Sequence, residues 1–116
     1  MTTRSRVLTV WLPVVAWAAV IFAFSSVPNL SSGLGGWDLL LRKLAHTTEY
    51  AILGALLWRA LRNEVAAFAA GVAYAATDEF HQHFVTGRHG SPVDVAIDAA
   101  GLLLGVLLAS RSLARR

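Results

Sequence analysis

The chain of 116 residues has room for one domain and contains no cysteine, which excludes disulfides and thiolate chemistry. Hydrophobic residues make up 56% and charged residues 15%, whereas about a quarter of a soluble domain is charged, so the composition is wrong for a soluble fold. The net charge of +3 does not mark a nucleic-acid binder, because the Lys and Arg residues sit mostly at the ends of apolar runs and not on one soluble surface.

A bilayer core of about 30 Å is crossed by roughly 17 to 25 helical residues, and four stretches meet that length. Residues 7–24 are free of charge, and Pro13 is tolerable there when neighbours satisfy the freed carbonyl. Arg4 and Arg6 precede this run as they would in a signal peptide. However, the run exceeds a usual signal core and lacks a clear small-x-small cleavage site, so retention as a first membrane helix is expected. Residues 25–37 (SSVPNLSSGLGGW) read as a loop, with Trp37 an interfacial anchor. Residues 39–61 form the second stretch and carry Arg42, Lys43, His46 and Glu49. After a tight turn at 59–64, residues 64–80 are Ala-rich and apolar up to Asp78. Residues 81–92 hold Gly87, Gly90 and Pro92, and Pro92 suits the first turn of a last helix at 93–110.

The expected fold is all-α: one domain over 1–116, an integral membrane bundle of four transmembrane helices. Arg4, Arg6, Arg59, Arg62, Arg111, Arg115 and Arg116 are seven of ten basic residues, and four crossings put them on one side. Positive charge in short loops marks the cytoplasm, so both termini are expected there. This is the pattern of a multi-pass inner-membrane protein.

The remaining ionisable groups collect toward the other side. All four histidines and six of the seven carboxylates fall in the outer half of such a bundle. A charge in the hydrocarbon costs at least about 2.5 kcal/mol, so this concentration calls for mutual pairing or a wet cavity. Arg42, His46 and Glu49 follow an i, i+4, i+7 stripe, with Lys43 and Tyr50 beside it. Tyr74, Asp78, His81 and Gln82 align if their helix continues through Gln82. Asp94, Asp98, Gly101 and Gly105 align on the last helix, where the glycines would admit another helix closely. These stripes converge on an outward-open polar pocket.

Lys43, His46, Glu49, Asp78, Glu79, His81, Gln82, Arg88 and Asp94 are its candidate chemical groups, and Arg42, Tyr50 and Asp98 candidate ligand contacts. His46 and His81 suit proton transfer near neutral pH, Glu49 or Asp98 could serve as an acid, and Arg42, Lys43 and Arg88 could hold an anion. Bland readings stand beside these: His46 bonding a carbonyl or Glu49, Asp94 as a helix cap or a partner for Arg88, and Gly101 and Gly105 as packing residues. The Asp78-Glu79-Phe80-His81-Gln82-His83 run lacks H-E-x-x-H spacing. No metal and no cofactor is expected.

The segment Lys43-Leu44-Ala45-His46, followed by Tyr50 and Leu53-Gly54, with Asp78-Glu79-Phe80-His81-Gln82, Gly87-Arg88 and Asp94 through Gly101, resembles the VanZ-like family. The resemblance covers about residues 37–109. It implies a small bacterial membrane protein of several helices, and the family takes its name from a protein associated with resistance to the glycopeptide teicoplanin. Two positions depart from the pattern: Thr86 where proline is frequent before Gly-Arg, and Asp98 where asparagine is common. The expected partners are the lipid bilayer and an anionic or lipid-linked envelope compound, with an oligomer open and nucleic acid excluded. The alternatives are a small proton-coupled transporter and a non-enzymatic membrane partner protein.

Overall fold

A computed structural model describes residues 3–25, 37–82, 84 and 92–114. Among them lie four α-helices and no strand: α1 (Thr3–Ser25), α2 (Trp37–Leu61), α3 (Glu64–Gln82) and α4 (Pro92–Ala114). Each helix reaches past its apolar run. α1 takes in Arg4 and Arg6, α3 continues through Gln82, and α4 runs on to Ala114. Hydropathy ends where polar side chains begin, whereas helical backbone bonding carries on beyond it. Threonines inside the helices satisfy their hydroxyls locally: Thr47 and Thr48 donate to the carbonyls of Lys43 and Leu44, and Thr77 to that of Ala73.

Thr3–Phe24 and Pro92–Ser112 are long and apolar enough to cross a membrane. α2 and α3 bear most of the polar residues at issue and do not meet that measure.

Only Arg62 and Asn63 separate α2 from α3. Arg62 takes a left-handed conformation with φ of 55°, which an L-residue adopts at a cost of roughly 1–2 kcal/mol. Its N–H donates to the Trp58 carbonyl at 2.7 Å, and its guanidinium lies 4.8 Å from the centre of the Trp58 ring. Asn63 then caps α3, its Oδ1 accepting the Ala66 N–H at 2.9 Å.

The cross-helix contacts set the helix directions. Lys43 meets Asp94 and His46 meets Asp98, so α2 and α4 run parallel. Ala18 meets Tyr74 and Phe22 meets His81, so α1 and α3 run parallel, opposed to the other pair. One end of the bundle therefore gathers Arg4, Arg6, Arg59, Arg62 and Arg111 from the starts of α1 and α3 and the ends of α2 and α4. The opposite end is the polar one.

The core between them is made of Ile21, Leu53, Leu57, Ala67, Ala75, Leu102 and Val106. α4 lies directly on α2. A Cβ added at Gly54 would stand 2.5 Å from the Leu102 carbonyl oxygen, and one at Gly101 would stand 2.6 Å from that of Thr47. At Gly105 it would collide with the Ala51 carbonyl. These glycines are packing residues, letting two backbones touch as small residues do between membrane helices. α1 packs against α2 and α3 and, among the described residues, does not reach α4.

Candidate functional site

Three polar links between helices are stacked at the polar end. Lys43 Nζ donates to Asp94 Oδ1 at 2.7 Å, joining α2 to α4. One turn along, His46 Nδ1 lies 3.4 Å from Asp98 Oδ1, again α2 to α4. Next, Tyr50 donates its hydroxyl to Asp78 Oδ2 at 3.0 Å, joining α2 to α3. At 1.5 Å of rise per residue, the three links span roughly 10 Å along α2.

Their burial deepens in the same order. The Lys43 and Asp94 side chains are 38% and 28% exposed, and those of His46 and Asp98 are 22% and 2% exposed. Tyr50 and Asp78 are sealed at 0% and 1%. The three links thus grade from part-exposed at Lys43 to sealed at Tyr50. Each step follows from the sequence: positions 43, 46 and 50 recur at helical spacing on α2, and positions 94 and 98 do so on α4. The backbone contact at Gly101 and Gly105 brings these two rows within hydrogen-bond reach.

The other expected residues are spread over the polar end of the bundle. Glu79 and Gln82 are buried beside Asp78 on α3. Glu49 is half-buried, and its backbone carbonyl accepts the Trp17 indole N–H at 2.8 Å. His81 is half-buried, its ring 4.3 Å from that of Phe22. Arg42 is half-buried too. Arg42 Nε, His81 Nδ1 and Asp98 Oδ2 are buried atoms with no hydrogen-bond partner among the described residues. Arg88, with Thr86, Gly87, His83 and His89, lies outside the described residues, as do the side chains of Trp37 and Asp38.

The stripe of Arg42, His46 and Glu49 divides among neighbours because α2 is packed by all three other helices. Lys43 and His46 turn to α4, Tyr50 turns to α3, and the carbonyl of Glu49 turns to α1. Asp94 pairs with Lys43, and its expected alternative partner Arg88 lies outside the described residues. Among the described residues no group of three or more His, Asp or Glu side chains is placed to hold a metal ion.

α1 contributes more than its apolar sequence suggests. Besides Trp17 and Phe22, its Ala18 carbonyl accepts a short hydrogen bond from the Tyr74 hydroxyl. The signal was present in Trp17, since an indole N–H within an apolar run must find an acceptor.

The model of the VanZ/LLP1 family matches residues 4–114. The chain belongs to this family. The match takes in α1, which the motif resemblance did not reach, so all four helices of this VanZ/LLP1 protein are part of the shared unit. No curated protein and no solved structure matches the chain.

Proposed function

We propose that this VanZ/LLP1 protein crosses the bacterial plasma membrane four times with both termini in the cytoplasm. The graded row of polar links then forms a funnel that opens outward and binds or acts on an anionic or lipid-linked compound of the cell envelope. The observation that carries this reading is the graded burial of the three links, from the open Lys43–Asp94 pair to the sealed Tyr50–Asp78 pair. A purely structural polar contact needs no such opening. A site that admits a polar head group while its tail stays in lipid does.

The orientation draws support from the five arginines gathered at the other end. Acids, a base and cations within a few turns are the materials of acid–base chemistry on a bound group. Arg42, Lys43 and Arg88 would face the anionic part of the ligand, and His46, Asp78 and Glu79 its reacting part. Below Asp78 the buried side chains are mainly Leu53, Leu57, Trp58, Leu102 and Val106, so a pocket fits better than a polar path across the membrane.

Two measurements test the reading. Cysteines at Ser32 and Gly90, introduced into a chain that has none, are expected to react with an impermeant thiol reagent from outside. Labelling from the cytoplasm alone would sink the orientation. Envelope lipids, glycans and teicoplanin susceptibility are then compared between cells carrying wild type and His46→Ala, Asp78→Ala or Arg88→Ala. Altered profiles are expected, and profiles unchanged by all three would reduce the funnel to a structural feature.

A further inference from the structure

We infer that Asp98 is a positioning residue for His46: its carboxylate keeps the imidazole proton on Nδ1 and leaves the Nε2 lone pair as the pocket's proton acceptor. The inference deepens the pocket reading above, and rests on it for any ligand. Its geometry stands separately.

The first observation is contact. Asp98 Oδ1 meets Nδ1 of His46; with the carboxylate ionised it can only accept, and the ring nitrogen then carries the shared proton. The 3.4 Å separation is at the long end of hydrogen-bond range. The second observation is exposure. The His46 side chain is 22% exposed and that of Asp98 only 2%, so the imidazole is the accessible member of the pair. The third is how the pair is held. Gly101, one turn past Asp98, lies against the carbonyl of Thr47, the residue after His46. Any side chain at Gly101 would push α4 back and pull the carboxylate off the ring.

Neighbouring charges are committed elsewhere or sit at longer range. On α4, Asp94 takes Lys43 of α2, and on α3, Asp78 takes the hydroxyl of Tyr50. Glu49 and Asp78 act on His46 through space, and Asp78 and Asp94 act likewise on Asp98. Asp98 is therefore the carboxylate that meets the ring. A hydroxyl or water bound against Nε2 would pass its proton there: the O–H bond breaks, the N–H bond forms, and the imidazolium faces the Asp98 carboxylate.

The test is ¹⁵N NMR of histidine-labelled full-length protein in lipid nanodiscs near neutral pH, with the His46 signals identified by their loss in His46→Gln. Wild type is expected to carry the proton on Nδ1 with Nε2 bare. Asp98→Ala is expected to move the majority of the proton to Nε2, whereas Asp98→Asn keeps an acceptor oxygen of the same shape and retains Nδ1–H. An Nε2–H or doubly protonated ring in wild type overturns the inference, as does an unchanged ring in Asp98→Ala. Should Asp98→Ala not fold, wild type and the Asn variant decide. A ring protonated at Nδ1 alongside envelope profiles unchanged by His46→Ala, Asp78→Ala and Arg88→Ala would sustain the pair and sink the envelope reading; the opposite combination would do the reverse.

Discussion

α1 and α4 are alike in length and apolar character, and both are able to span a membrane, yet they join the bundle in different ways. α4 is seated backbone to backbone on α2 through Gly54, Gly101 and Gly105 and is tied to it by two polar pairs. α1 rests on α2 and α3 through Val14, Trp17 and Ile21, with two hydrogen bonds to backbone carbonyls. Its outer face, with Val7, Leu8, Leu12 and Val15, is exposed. In lipid, apolar surface gains little from leaving its surroundings, so close packing and polar links decide which helices hold together. By that measure α4 is part of the candidate site, and α1 is a wall set against it.

The largest blow to this contrast should come from Gly105→Val. Its branched side chain would enter the Ala51 carbonyl, and a loss of about 3 kcal/mol or more is expected, read as a lowered unfolding midpoint in mixed micelles. Lys43→Met should cost at most about 1 kcal/mol, because the pair with Asp94 is partly exposed. Its difference from wild type should shrink as salt rises, and a salt-independent loss would count against the pairing. Trp17→Phe removes one hydrogen bond from α1 and should cost about 0.6 kcal/mol, the scale measured for such bonds in membranes. Smallest of all, Leu12→Ala on the exposed face of α1 should change stability by less than about 0.5 kcal/mol. If Leu12→Ala matched Gly105→Val, the distinction between wall and site would fail.

Much of the α4 side was legible in the sequence. Asp94, Asp98, Gly101 and Gly105 recur at helical spacing, and His46, with Lys43 beside its stripe, answers them on α2. Periodicity reports a face but not the partner that covers it, so the assignment of Lys43 to Asp94 and of Tyr50 to Asp78 required three dimensions. Glu49 shows the limit most clearly: its carboxylate drew attention in the sequence, while its backbone carbonyl is what anchors Trp17. Backbone acceptors are identical at every residue, so no sequence pattern marks the one that will be used. The helix ends also lay beyond the apolar runs, since charge stops hydropathy before it stops a helix.

The turn of only Arg62 and Asn63 has a consequence for how the protein is made. On the four-span reading, α2 and α3 each carry buried or half-buried charge into lipid, at a cost of at least about 2.5 kcal/mol for a central charge. Two linking residues leave them no way to enter separately, so they would be delivered as a hairpin, with the Tyr50–Asp78 link formed inside it. The Lys43 and His46 links must wait for α4. On that reading the buried Tyr50–Asp78 link would be laid during insertion, and the more exposed links would be assembled only when the following helix docks.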